Sequence, residues 1–282
     1  MARVRGVDLM LKRLLISGRS RVRRMRLNQS HRLSGPIAEA GFFDSYPRFF
    51  ATSVTSATAN RLNQRHRALI ERNEAIIRGK SILDIASHDG RWSLAAHKAG
   101  ARYVLGIEAR QNLVDAARAT MRKHDVVEGS VEFSVGDVFE EIDRLKPGAF
   151  DTVLCFGFFY HTMQHMLLLS KIARLKPTSV IMDTDIHLDP LPIIEISREE
   201  TSLQGAGAVP DIGDPTGTLI GRPSKSALEL MLANVGFTFS YYDWHRAAIK
   251  YWGDLRDYYA GERVSLVATR RNVLLDTCNR SQ

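Results

Sequence analysis

The sequence predicts an α/β fold in which a mostly parallel, seven-stranded sheet carries helices on both faces. Short apolar runs rich in β-branched residues alternate with longer amphipathic stretches from about residue 60. Turn-forming residues separate them, in the order expected of repeated βαβ units, and no internal repeat or low-complexity segment interrupts the series. At 282 residues, 44% hydrophobic and 25% charged, the chain has the composition of one large soluble domain.

Residues 57–78 read as a helix. Residues 81–86 (SILDIA) are apolar almost throughout, as a parallel strand covered on both faces must be, and a helix follows over 91–99. A strand at 103–108, a helix at 111–123, and strands at 131–135 and 152–156 come next. Thr162 is placed as the N-cap of a helix running to Leu175, because its hydroxyl can accept from an orphan N–H, and 179–184 is the fifth strand. Residues 188–222, rich in Pro and Gly, break the pattern and read as a lid-like insertion without regular structure. Pro223 and Ser224 open a helix to about Asn234, after which 237–244 and 263–269 close the sheet, joined through the aromatic segment 250–260. The layout is therefore a basic segment at 1–35, a domain at 36–275 with the insertion at 188–222, and a tail at 276–282.

The net charge of +8 is unevenly placed. Ten of the 39 Lys and Arg and one of the 31 acids fall in residues 1–35, which leaves 29 basic against 30 acidic residues elsewhere. A domain that tracks phosphates carries its basic stripe on the folded body, so nucleic acid is a disfavoured partner, while the basic N-terminus suits an anionic surface or a solvated tail. Cys155 and Cys278, one in an apolar run and one in a polar tail, suggest neither a disulfide framework nor a cysteine metal site, and a reducing cytoplasm fits best. No apolar run approaches the ~18 residues that span a bilayer. The oligomeric state stays open, a homodimer being one option.

The segment Leu83-Asp84-Ile85-Ala86-Ser87-His88-Asp89-Gly90 lies between a buried strand and a helix, where doubly wound folds bind nucleotide-like ligands. Glu108 ends the second strand 18 residues after Gly90, where an acid can accept from both hydroxyls of a ribose. Gly136-Asp137-Val138 follows the third strand, and Phe150-Asp151-Thr152-Val153-Leu154-Cys155, with Phe156 after it, forms the fourth. This series resembles the four cofactor motifs of class I S-adenosylmethionine-dependent methyltransferases, which have a Rossmann-like fold. The resemblance implies S-adenosylmethionine as cofactor and Asp84, Ala86, Ser87, His88, Gly90, Glu108, Asp137, Val138 and Phe156 as its contacts, with Asp137 facing the adenine amine. Ala86 and His88 stand where that family more often has glycine. A turn poor in glycine keeps a pyrophosphate away from the backbone, which disfavours NAD and FAD.

Phe159-Tyr160-His161, Pro223-Ser224, Ala227-Leu228 and Gly236-Phe237 look similar to a narrower group, the enzymes that alkylate the wobble uridine of transfer RNA and their small-molecule-modifying relatives. O-methylation needs a base beside the cofactor, and His161, at a strand's carboxyl end and next to a helix N-terminus that disfavours imidazolium, is the expected base, with His165 second. Asp183, Asp185 and His187 fall at alternate positions and would share one face, with neighbours ~6.6 Å apart, if the strand continued that far. Asp183 and Asp185 could hold a Mg²⁺ that binds a vicinal diol, or bind acceptor by hydrogen bonds without metal. Phe42, Phe43, Tyr46, Phe49 and Phe50 read as core first and as a substrate-covering platform second. Three functions follow: an O-methyltransferase on a small-molecule or saccharide acceptor, a transfer-RNA uridine alkyltransferase, or a non-catalytic S-adenosylmethionine-binding regulatory module.

Overall fold

Alternate residues of the first strand serve two different cores: Leu83 and Ile85 pack into one, Ile82 into the other, and all are fully buried. The computed structural model describes residues 40–51, 58–203 and 205–271. The basic segment 1–35, the tail 276–282 and Cys278 lie outside the described residues. Nine strands occur among those residues: β1 (Ser81–Ile85), β2 (Tyr103–Glu108), β3 (Val131–Val135), β4 (Thr152–Phe156), β5 (Ser179–Asp185), β6 (Ile194–Glu200), β7 (Gly217–Pro223), β8 (Phe237–Tyr241) and β9 (Arg263–Arg270). Seven form one sheet in the order β3-β2-β1-β4-β5-β9-β8, parallel from β3 to β5, with β9 antiparallel to β5 and β8 antiparallel to β9. The predicted architecture is the observed one.

The helices are α1 (Ala59–Leu69), α2 (Arg91–Lys98), α3 (Gln111–Lys123), α4 (Val138–Arg144), α5 (His165–Arg174) and α6 (Lys225–Asn234), besides single helical turns. One core holds Val138, Ile142, Leu168, Leu169, Ile172, Leu228 and Leu232 against Leu83, Val153 and Val180. The other holds Trp92, Leu94, Val114 and Ala117 against Ile82, Leu154 and Ile181. Both faces of the sheet are thus covered, and its strands are apolar for that reason.

Five local expectations differ from the structure. The helix foreseen at 57–78 ends at Leu69 because the Asn73 amide donates to the Ala68 and Leu69 carbonyls at 3.2 and 3.0 Å, replacing helical partners with a side chain. Thr162 does not cap α5. Its hydroxyl accepts from the Gln164 N–H at 2.9 Å in a local turn, and the helix begins at His165. The helix α4 went unforeseen, though Asp137 caps it by accepting from the Phe139 and Glu140 N–H groups. The last-but-one strand stops at Tyr241, since Asp243 caps a 3-10 turn over Trp244–Arg246. Finally, 188–222 is not irregular throughout: β6 and β7 pair antiparallel over seven positions as a separate hairpin, with Gly and Pro concentrated in its connecting loop and at its ends. Among the described residues, no helix is long and apolar enough to cross a membrane.

Candidate active site

Strand order reverses between β1 and β4, and the crevice at such a point opens at the carboxyl ends of the parallel strands. A cavity of about 730 Å³ lies there, within the roughly 300–1,000 Å³ usual for ligand sites. Its walls come from the segments after β1 (Ala86, His88), β2 (Glu108, Arg110), β3 (residues 137–140) and β4 (Phe156, Tyr160, His161). Arg61 and Arg65 of α1 and Arg263 at the start of β9 add one side, and the hairpin loop 205–212 adds another.

The turn after β1 uses left-handed backbone at three alternate positions, Ala86 (φ 52°), His88 (φ 55°) and Gly90 (φ 77°). Two of these are not glycine, so the glycine-type path is kept at a cost of about 1–2 kcal/mol per residue. At Gly90 a side chain is excluded outright, because a Cβ would stand 2.8 Å from the Phe133 ring and 2.9 Å from Ala117. Ala86, His88, Glu108, Asp137, Val138 and Phe156 all line the cavity. Asp84, Ser87 and Gly90 do not; they build the turn from beneath. Asp84 is buried, accepts from the Ser93 hydroxyl at 2.6 Å and has its carboxyl pushed up by burial to about 7. Ser87 is buried with its N–H donated to the Ile107 carbonyl.

Glu108 is held by two backbone donors, the His88 N–H on one carboxylate oxygen and the Arg110 N–H on the other, each at 3.0 Å. The carboxylate is thereby fixed in the cavity wall with acceptor capacity left on both oxygens. Asp137, also in the wall, caps α4.

His161 sits in a 3-10 turn, Phe159–His161, four residues before the start of α5. The group that bears on its imidazole is Glu199 of β6, with Nδ1 and Oε2 2.5 Å apart, rather than the adjacent helix N-terminus the sequence suggested. A carboxylate accepts only, so Nδ1 carries the proton and, in the neutral imidazole, Nε2 is the acceptor. The same Glu199 oxygen accepts from the Gly207 N–H at 2.9 Å. Arg110 donates to the carbonyls of Thr201, Leu203, Ala206 and Gly207, tying that loop to the end of β2. Glu199 and Arg110 were both missed in the sequence. The period of two in β6 was there to be read, but it puts Ile194 and Ile196 outward and Glu195, Ser197 and Glu199 on the half-buried side, the reverse of an ordinary half-buried strand.

The metal expectation is corrected. Asp183 is fully buried and accepts four hydrogen bonds, from Arg65 (2.8 Å) and Arg263 (2.6 Å) on one oxygen and from Tyr258 (2.8 Å) and Ser265 (2.7 Å) on the other. The two guanidinium groups hold its carboxyl well below the usual carboxylate range against the effect of burial. Asp185 accepts from Arg263 at 2.6 Å. A carboxylate so saturated has no lone pair for a cation, and the neighbouring positive charges repel one, so Mg²⁺ does not fit here. Among the described residues no group of three or more His, Cys, Asp and Glu converges to hold a metal ion. His165 is not a base either: it is buried, and its Nε2 lies 2.9 Å from the Gly221 carbonyl of the hairpin. Phe43 and Phe49 are core residues, edge-on to each other, and Phe43 is edge-on to Trp92, while Phe42 stacks on His66.

Residues 82–177, which carry the turn, Glu108, Asp137 and His161, match the family model described as a methyltransferase domain. The matched stretch is thus a methyltransferase domain, and the sheet around it has the fold of class I S-adenosylmethionine-dependent methyltransferases. Among solved structures, the N-terminal domain of EvdMO1 with SAH bound is similar to this methyltransferase at a TM-score of 0.55 and 23% identity, over 74% of this chain and 80% of that one. A putative S-adenosylmethionine-dependent methyltransferase from Listeria monocytogenes aligns at a TM-score of 0.52 and 14% identity, over 74% and 99% of the two chains. These likenesses are of fold. No curated protein matches the sequence of this methyltransferase.

Proposed function

We propose that this methyltransferase transfers a methyl group to a hydroxyl of a polar acceptor of saccharide type, with His161 as the base and Glu199 as the residue that orients it. The observation that carries the reading is the His161–Glu199 contact in the wall of the cofactor crevice. S-adenosylmethionine supplies an electrophilic methyl group on a sulfonium. Ala86, His88, Glu108, Asp137, Val138 and Phe156 are the residues that would hold it, Glu108 by accepting from ribose hydroxyls and Val138 by packing on the adenine. His161 Nε2 takes the acceptor hydroxyl's proton, while Glu199 keeps the proton on Nδ1 and stabilises the imidazolium that forms. Loop 205–212 roofs the cavity and limits water.

Support for a saccharide is a neighbouring structure of similar fold, the N-terminal domain of EvdMO1 solved in the presence of SAH and D-fucose. The test is labelled-methyl transfer from S-adenosylmethionine to saccharide, phenolic and transfer-RNA pools. Label should enter the saccharide pool; label confined to another pool contradicts the acceptor class. In the same assay His161→Ala should lower turnover about 10²–10⁴-fold with cofactor affinity intact, and Glu199→Gln at least about tenfold.

A further inference from the structure

The cavity differs in its lining side chains from one side to the other. The acids in its wall, Glu108, Asp137, Glu140 and Asp211, come from the ends of β2 and β3 and from the roof loop. The side next to His161 is built instead of donors. Tyr160 lies against the His161 ring with centroids 4.0 Å apart, Arg263 lies 5.6 Å above the Tyr160 ring, and Arg61 stands over Tyr258, whose ring Arg263 also approaches. The counter-charges of these arginines, Asp183, Asp185 and Asp257, are absent from the wall. They fix the guanidinium groups from the far side: Asp257 takes two bonds from Arg61, at 2.7 and 2.6 Å, and Asp183 and Asp185 take one each from Arg263.

Each guanidinium has five donors and no acceptor. Asp183 and Asp185 use two of those on Arg263, whose terminal nitrogen sits over Gly157 of the cavity wall, 3.4 Å from where a Cβ there would be. Arg61 Nε is buried and has no hydrogen-bond partner among the described residues. Tyr160 is a donor as well, since burial and then the Asp185 charge push its phenol up to about 12. A wall of held donors beside the base is matched by a ligand that brings acceptors only.

We infer that the acceptor carries an oxyanion, a carboxylate or a phosphate, which Arg61, Arg263 and Tyr160 hold next to His161. This rests on the reading of the crevice as cofactor site and of His161 as base. The carboxylate of S-adenosylmethionine itself is the other source of the same chemistry, since Arg91 beside the β1 turn is already paired bidentately with Asp89 at 2.8 Å; competition between phosphate and S-adenosylhomocysteine separates the two. On this inference the oxyanion beside His161 is the acceptor's, as in an acidic or phosphorylated sugar.

Inorganic phosphate titrated calorimetrically into protein saturated with S-adenosylhomocysteine tests this. Phosphate should bind that complex without displacing the nucleoside, and Arg61→Gln should weaken it about tenfold or more at unchanged S-adenosylhomocysteine affinity. Tyr160→Phe, which leaves every ion pair in place, should weaken it less but measurably, and serves if Arg61→Gln does not fold. Displacement of S-adenosylhomocysteine by phosphate, no phosphate binding to the wild-type complex, or wild-type phosphate affinity in the folded variants would overturn the inference. Failure of S-adenosylhomocysteine itself to bind would instead defeat the underlying cofactor reading.

Discussion

Asp84 near the end of β1 and Asp89 in the turn that follows are both buried, and their carboxyls are shifted in opposite directions by their neighbours. Asp89 faces the Arg91 guanidinium bidentately and is held well below the usual carboxylate range. Asp84 has Ser93 as its partner, through hydroxyl and backbone, with Glu108 and Asp89 nearby, and burial raises it to about 7. A carboxyl raised on folding favours the folded state while protonated, so its contribution is complete below the unfolded value near 4 and is lost as pH rises toward 7. Between those limits it should lower stability by about 1.4 kcal/mol per pH unit. Asp84→Asn should flatten that slope in urea titrations of the ligand-free protein at pH 5 and 8, and an unchanged slope would mean that Asp84 is ionised throughout. Ala86 offers a second test: Ala86→Gly should raise stability by up to about 1 kcal/mol, because glycine takes a φ of 52° without strain. Loss of stability there would show that packing of the Ala86 methyl outweighs the strain.

At the level of elements, the β6–β7 hairpin is where sequence and structure part most. Its Pro and Gly content signals irregular chain, whereas the alternation Ile194, Ile196 and Thr218, Ile220 pairs two strands. What the composition does locate is the loop between them, which Arg110 and Glu199 tie over the cavity. Gly207 permits that approach, since a Cβ would stand 2.8 Å from the Thr218 methyl. Gly207→Ala should therefore lower kcat/KM by roughly tenfold while shifting stability by less than about 1 kcal/mol, as expected of a displaced roof rather than a damaged core. Equal kinetics would mean that the roof plays no part in turnover. The loop should also exchange its amide hydrogens more slowly once cofactor and acceptor are bound. The helix α1 hid its role for a related reason. It buries Arg61 and Arg65, which an amphipathic pattern assigns to solvent, because they face a ligand cavity and a carboxylate rather than apolar core.

Over the whole molecule, the parallel strands and the turn after β1 were legible because both rest on local rules: apolar runs for strands covered on two faces, and an acid at the end of β2. The arginine–aspartate cluster was not, because it joins residues 65, 183, 185, 258, 263 and 265, which only the closed sheet brings together. Read along one strand, Asp183 and Asp185 resemble metal ligands; within the fold they anchor α1 and β9 to β5. Asp183→Ala should accordingly cost about 3–5 kcal/mol by stranding two buried guanidinium groups, measured by denaturant unfolding. Wild-type activity should persist in excess chelator, and activity lost in chelator and restored by Mg²⁺ would return a cation to the site. The central claim is that this crevice binds S-adenosylmethionine through Glu108. Calorimetric titration of S-adenosylhomocysteine into wild type and Glu108→Ala addresses it most directly: wild type should bind and the variant should lose about 1.5–3 kcal/mol. No binding by wild type, or equal affinity in the variant, would contradict it.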